Sequence, residues 1–136
     1  MRKGIKGVVA LTVVIAACGG SGEVTTDDVT ATAVCVDRPP TGECVVEASD
    51  ERVEGTEFQL YIYDEAARTS RGLLIMENEG GSWFGTFTSV IEDTRAVSQF
   101  EYVGSGGYQG LVYTFESIFD FATNTATRTG QIQQAG

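Results

Sequence analysis

The chain has 136 residues, which suits one domain, with 42% hydrophobic residues, no histidine, and 9 basic against 19 acidic residues. Removal of residues 1–17 takes away three basic residues and leaves six arginines against 19 acidic residues, a net charge of −13. These counts argue against a nucleic-acid-binding face and exclude a His-dependent catalytic triad, a catalytic lysine and a His-ligated metal from residues 18–136.

The N-terminus has the pattern of an export signal. Arg2, Lys3 and Lys6 form a charged region, and residues 7–17 are almost all apolar or small. A run of this length is too short to cross a bilayer, which takes about 20 residues as a helix. Residues 1–17 therefore predict a cleaved signal peptide rather than a membrane anchor.

The stretch IAAC at 15–18 resembles the lipobox of bacterial lipoproteins, which is an aliphatic residue, two small residues and a cysteine. The resemblance implies cleavage before Cys18, diacylation of Cys18, and a flexible tether over 18–27. Acyl chains would attach the exported protein to the bacterial cell envelope. Because Gly19 is not Asp, the pattern favours the outer membrane in a cell with two membranes.

Cys35 and Cys44 enclose the sequence VDRPPTGE, which is rich in turn-forming residues. An even pair of cysteines in an exported chain predicts a disulfide, here one that joins the two strands of a hairpin. A loop this short contributes roughly 2–3 kcal/mol of stability. The alternative is a metal site with these two thiols, and no histidine is present to complete it.

The remainder, 28–136, is predicted to be one all-β domain. Short segments alternate apolar and polar residues, they are rich in β-branched and aromatic side chains, and none shows a sustained helical period. Short connections favour a single antiparallel meander, closed into a small eight-stranded barrel. The predicted strands lie near 28–36, 43–48, 57–63, 71–78, 83–91, 95–103, 110–121 and 125–133.

Alternation also sorts the side chains into two faces. Phe58, Leu60 and Ile62 share a face of the third strand. A second set shares a face of the seventh strand: Leu111, Tyr113, Phe115, Phe119 and Phe121. The candidate residues for a ligand cavity are Trp83, Phe87, Tyr113 and Phe115. The alternative is that inward aromatic rings simply fill the core of a small barrel.

Two glycine-rich stretches, GGSWFGT at 80–86 and GGYQGL at 106–111, share one pattern. Each places two glycines, an aromatic residue and a further glycine before a strand. Because neither precedes a helix, a phosphate-binding loop is disfavoured and tight turns are predicted. The residues with this structural role are Gly80, Gly81, Trp83, Gly85, Gly106, Gly107, Tyr108 and Gly110.

The first of these stretches and the long segment YVGSGGYQGLVYTFESIFDFATNTATRTGQI look like small secreted bacterial barrel proteins. They also resemble, more distantly, the calycin-like barrels of allene oxide cyclases and dirigent proteins. The similarity covers roughly residues 50–133 and implies a barrel. No position matches a catalytic residue of the cyclases.

The predicted function is a non-catalytic module that binds a small apolar ligand or serves as structure. No cofactor, metal, nucleic-acid partner or oligomeric state is predicted, and the lipid on Cys18 provides the membrane contact. A calcium site lacks the expected acidic loop, and polar faces on the last strand disfavour a membrane-spanning barrel. Two alternatives remain: an envelope interaction or inhibitor protein that acts through its loops, and a cyclase- or isomerase-like enzyme with Glu116 or Asp120 turned inward.

Overall fold

The computed structural model describes residues 25–135, so the signal segment and Cys18 lie outside the described part of the chain. It consists of eight β-strands and two short 3-10 helices, at Glu51–Val53 and Gly106–Tyr108. No helix between residues 25 and 135 has the length and apolar character to cross a bilayer. The strands are β1 (Thr26–Arg38), β2 (Thr41–Ala48), β3 (Gly55–Asp64), β4 (Thr69–Asn78), β5 (Gly81–Ile91), β6 (Arg95–Ser105), β7 (Leu111–Asp120) and β8 (Thr125–Gln134).

Each strand pairs antiparallel with the next, and β1 pairs with β8 to close the barrel. The closing register runs from Thr26 opposite Gln133 to Val34 opposite Thr125. The predicted all-β fold, a single antiparallel meander closed into an eight-stranded barrel, is thus confirmed. Strand β1 begins two residues before the predicted domain boundary, because its first residues already hydrogen-bond in register with β8.

The barrel interior is a packed aromatic core, since alternate residues of each strand point inward. Its rings belong to Trp83, Phe87, Phe100, Tyr102, Tyr113 and Phe115, all at most 6% exposed. Burial of a large apolar side chain contributes about 1.5–3 kcal/mol. Gly85 lies among these inward positions, where a β-carbon would overlap the carbonyl oxygen of Glu101 on the neighbouring strand.

Strand β3 directs its apolar face to solvent. Phe58, Leu60 and Ile62 do share a face, but each is more than half exposed. The inward side of β3 begins with Glu57, which is fully buried. Its position is fixed by an ion pair with Arg128 of β8, so the polar face of this strand has a partner inside the barrel.

One end of the barrel is closed where the two glycine-rich stretches meet. A β-carbon on Gly107 would overlap the carbonyl oxygen of Gly80, so the two turns touch through their backbones. The rings of Trp83 and Tyr108 stack there with centroids 5.1 Å apart. The indole Nε1 of Trp83 donates a hydrogen bond of 2.8 Å to the carbonyl of Arg52. Together these contacts plug this end.

The predicted turn glycines differ in what they contribute. Gly106 and Gly110 have φ of +63° and +89°, in the left-handed region that favours glycine. Gly80 and Gly81 instead allow a close approach: a β-carbon on Gly80 would overlap the hydroxyl of Tyr108, and one on Gly81 would lie 2.8 Å from the carbonyl oxygen of Ser105.

The first hairpin carries the predicted disulfide between Cys35 and Cys44. The two residues lie directly opposite each other in the register of β1 and β2. Their bond therefore links the hairpin at the end of the barrel opposite Trp83 and Tyr108. The disulfide side chain of Cys44 is buried against the core.

Candidate functional site

The end of the barrel that carries the disulfide is open and holds a cavity of about 140 Å³. Part of its wall is formed by the disulfide itself and by Gly42, which has no side chain to fill the space. Phe87 and Phe100 form apolar parts of its lining. The two barrel ends therefore differ: stacked aromatic rings close one, and the other leaves a concave site.

A row of four serines lines this cavity. Ser70, Ser89, Ser98 and Ser117 lie on β4, β5, β6 and β7, and each is directly opposite the next in the strand register. All four line the cavity, and the hydroxyls of Ser89 and Ser98 hydrogen-bond at 2.6 Å. The row ends at Arg128, which lies opposite Ser117 on β8. It forms a polar band across five neighbouring strands.

The cavity exists because side-chain size changes abruptly along three strands. Each of β5, β6 and β7 carries a phenylalanine two residues further into the barrel than its serine. These residues are Phe87, Phe100 and Phe115. These rings stack, with centroids 5.1 Å apart in the first pair and 4.5 Å in the second. The serine side chains are too small to fill the barrel interior at their own level, so the space between the phenylalanine rings and the open end of the barrel is left unfilled by side chains.

A buried ion pair lies in the barrel interior beside these rings. Arg128 donates to both carboxylate oxygens of Glu57, with Nη1 to Oε1 at 3.0 Å and Nη2 to Oε2 at 2.7 Å. The Tyr102 hydroxyl donates to Oε1 at 2.5 Å, and the Gln59 amide donates to Oε2 at 2.8 Å. The guanidinium carbon lies 4.8 Å from the centroid of Phe115. Each carboxylate oxygen thus accepts two hydrogen bonds.

This network keeps both partners charged. Burial alone would raise the pKa of Glu57, but the positive charge and hydrogen bonds of Arg128, with those of Tyr102 and Gln59, hold that pKa below its usual range. Burial opposes the charge of Arg128 too, and Glu57 nevertheless raises the arginine pKa. The pKa of Tyr102 is raised, first by burial and then by the adjacent carboxylate.

Two buried side-chain polar atoms have no hydrogen-bond partner within residues 25–135. They are the Nε of Arg128 and the hydroxyl of Tyr113. A buried donor without an acceptor costs about 1–3 kcal/mol. Arg128 lines the cavity and is only 2% exposed, but its Nε is itself buried, so this N–H is enclosed by the protein rather than presented to the cavity.

The rim of the cavity combines aromatic and acidic groups. The Tyr61 hydroxyl donates a short hydrogen bond to the carboxylate of Asp37. Partial burial and then that carboxylate raise the pKa of Tyr61. Across the mouth, Phe119 and Phe121 pack edge to face with centroids 5.7 Å apart. An occupant would therefore pass an amphipathic rim.

The four residues predicted to line a ligand cavity occupy different places. Phe87 lines the open cavity. Trp83 belongs to the plug at the closed end, while Tyr113 and Phe115 are buried in the core between the two ends. Glu116, one of the two acids considered for an enzymatic site, lies on the outer surface of β7.

The other acid considered there, Asp120, is also exposed at the end of β7. Within the described residues, no group of three His, Cys, Asp or Glu side chains is placed to hold a metal ion.

Sequence reasoning missed the serine row and the Glu57–Arg128 pair. One signal was available: in TATRTGQI, alternation sets Arg128 on the same face as the core residues Ala126 and Ile132.

Comparison of the chain with protein-family models, with characterised proteins and with solved structures finds no significant match. The structure supports a small eight-stranded antiparallel barrel with a buried aromatic core.

Proposed function

We propose that the protein is a non-catalytic binding protein of the bacterial cell envelope, anchored by lipid on Cys18, which takes one small ligand into the open end of its barrel. The observation that carries the proposal is the serine row above the stacked phenylalanines. Apolar side chains at these four positions would close this end, as Trp83 and Tyr108 close the other.

The cavity favours a ligand with one flat ring or an equivalent short chain. A volume of about 140 Å³ is close to that of cavities that admit a benzene-sized molecule. Phe87 and Phe100 offer apolar contact, and the serine hydroxyls offer donors and acceptors. Because Glu57 already balances the charge of Arg128, we expect an uncharged ligand whose carbonyl or hydroxyl group hydrogen-bonds to the serine hydroxyls.

The same geometry supports binding rather than catalysis. A general base needs a free lone pair and a pKa near the working pH. Glu57 has neither property, since both of its oxygens accept hydrogen bonds and its pKa is lowered. The resemblance to allene oxide cyclases contributes the barrel to this proposal and no catalytic residue.

The direction of the chain fits an anchored receptor. Strand β1 begins at the closed end, where Asp27 pairs with Arg52 at 2.9 Å, close to the Trp83 plug. A tether from Cys18 would therefore reach the barrel at its closed end. The open cavity would then face away from the membrane, toward ligands that diffuse in the adjoining compartment.

Filling the cavity tests the proposal. Ser98→Leu places an apolar side chain where the serine row now leaves space, and Thr127→Leu makes a comparable change on the outer face of β8. Phenol, a one-ring probe with a hydroxyl, should shift the amide NMR signals of Phe87 and Ser117 in the wild type and in Thr127→Leu. It should leave them unshifted in Ser98→Leu.

The contrary outcomes are equally clear. If phenol shifts the same signals in Ser98→Leu and in the wild type, the serine row is not the site. If millimolar phenol shifts no cavity signal in the wild type, the open end does not take one-ring ligands and the proposed ligand chemistry is wrong.

A further inference from the structure

The outer surface of the barrel has two unlike sides. On β8 the outward side chains are uncharged and polar: Thr125, Thr127, Thr129, Gln131 and Gln133. On β3 and in the middle of β4 the outward side chains are large and apolar, and β5 and β6 add Phe84 and Val103 to them. Exposed valines and an isoleucine also lie on β1, β2, β5 and β7, so what distinguishes β3 and β4 is that their large apolar side chains are direct neighbours in the strand register. A contiguous patch of this kind marks an interaction site, whereas single exposed apolar residues do not.

The apolar side forms one continuous surface, called here the apolar wall. The strand register places Phe58 beside Ile75, Ile75 beside Phe84, and Leu60 beside Leu73. Each member is between 41 and 57% exposed. The members are Phe58, Leu60, Ile62, Leu73, Ile75, Phe84 and Val103.

The exposed area of the apolar wall is comparable to the largest apolar patch on a typical monomer, which is often functional. A fully exposed phenylalanine side chain offers roughly 150–250 Å², and an aliphatic side chain offers less. With about half of each exposed, the seven together present on the order of 600 Å². A standard interface buries about 800 Å² per partner, including a polar rim. The wall and its rim therefore match one stable protein interface.

The apolar wall is not flat. A shallow groove runs beside Leu60, Ile62 and Leu73 on the outside of the barrel, next to Gly72. Phe84 stands more than half exposed on the neighbouring strand. A surface that carries both a groove and a projecting ring can fit a rotated copy of itself, which is the requirement for a two-fold interface.

The charges on β4 give the wall a direction. The outward residues of this strand run Arg71, Leu73, Ile75, Glu77, so the two apolar residues lie between a positive and a negative end. Within residues 25–135, neither Arg71 nor Glu77 takes part in a salt bridge. Antiparallel apposition of two β4 strands would bring each arginine opposite the other copy's glutamate.

We propose that a second copy of this chain covers the apolar wall, in a two-fold dimer whose β4 strands face each other antiparallel. Leu73 then meets Ile75 of the other copy, and two Arg71–Glu77 pairs form at the edges. An anionic membrane is a poorer occupant, since residues 18–136 carry a net charge of −13, from six arginines against 19 acidic residues.

Charge reversal tests the proposed dimer at the level of single residues. Sedimentation velocity would use the exported chain with Cys18→Ser, which keeps every other residue and lacks the proposed acyl chains. Arg71→Glu alone and Glu77→Arg alone should each weaken dimerisation at least tenfold, because each sets like charges face to face. A mixture of the two variants should form heterodimers with restored affinity, because both edges are then complementary.

A second pair of variants tests the apolar contact and provides the control. Ile75→Asp places a charge at the centre of the wall and should leave the protein monomeric. Thr129→Asp makes the same kind of change on the polar side and should dimerise as the wild type does. Circular dichroism of each variant checks that the barrel is retained, which is expected because both positions face outward.

Several results would overturn the proposal. The wild type could remain monomeric across a hundredfold range of concentration, or the mixed charge variants could fail to associate. Ile75→Asp could also dimerise as strongly as Thr129→Asp. Binding of a monomeric wild type to phosphatidylglycerol vesicles, lost in Ile75→Asp, would assign the wall to a membrane surface instead.

Discussion

Removal of one partner of the Glu57–Arg128 pair should destabilise the barrel strongly, whereas removal of both should not. Arg128→Met leaves the carboxylate of Glu57 buried, with hydrogen bonds from Tyr102 and Gln59 but no compensating charge. Glu57→Leu likewise leaves an unpaired guanidinium. Each side chain is at most 2% exposed, so solvent cannot screen the remaining charge.

The expected magnitudes follow from this burial. Breaking a buried pair by deletion of one partner costs about 3–5 kcal/mol, while replacement of both partners by apolar residues of similar volume is often neutral or stabilising. At about 4 °C per kcal/mol for a domain of this size, each single variant should melt roughly 12–20 °C lower. The double variant should melt within a few degrees of the wild type.

The assay is a double-mutant cycle of urea unfolding on the wild type, both single variants and the double variant.

The pH dependence of the free energy of unfolding adds a second readout. Since the pKa of Glu57 is lower in the folded chain than its usual 4.5, its contribution to stability is fully present above that pH. The contribution is lost as the pH falls below 4.5, and Glu57→Leu should show a shallower loss.

Additive effects would refute this reasoning. If the double variant loses the sum of the two single losses, Glu57 and Arg128 contribute independently and the ion pair is not the unit that holds the two strands. A single variant as stable as the wild type would show that water reaches the site, contrary to its burial.

Three further predictions concern other parts of the chain. Cys18→Ser should release the protein from the membrane fraction, as measured by fractionation of the host cell. Non-reducing peptide mapping should recover Cys35 and Cys44 in one linked peptide, and their replacement by serine should lower the free energy of unfolding by about 2–3 kcal/mol. Gly107→Val should lower it by about 1–3 kcal/mol in thermal unfolding, with or without phosphate, because its side chain meets the Gly80 carbonyl.

Each of the three has a contrary result. A Cys18→Ser protein that stays with the membrane would remove the lipid anchor from the account. Free thiols at both positions in native protein would contradict the disulfide. Unchanged melting of Gly107→Val would mean that the glycine turns at the closed end do not touch.

The strands and their order were predictable because they depend on local features. Alternating residues give each strand its two faces, and glycine pairs or proline pairs mark the turns, as at Gly80–Gly81 and Pro39–Pro40. Short connections then leave a meander as the simplest topology. The close meeting of Gly80 with Gly107 was not predictable from either stretch alone, because it depends on how the barrel ends close.

The cavity depends on features that are distant in the sequence. Ser70, Ser89, Ser98 and Ser117 are adjacent only through the register of four strands, and a serine at an inward position gives no local signal of its own. Strand β3 shows a related limit. Alternation grouped its apolar residues correctly. The side of β3 that faces inward depends on the ion pair between Glu57 and Arg128, which lies 71 positions later in the sequence.

Native mass spectrometry of the protein purified from its own host tests the central claim most directly. The wild type should carry one additional uncharged molecule of about benzene size, and Ser98→Leu, prepared in the same way, should carry none. Thr127→Leu should retain the molecule, since its side chain lies outside the barrel. A wild type without any bound mass, or a bound mass that persists unchanged in Ser98→Leu, would contradict ligand binding at the serine row.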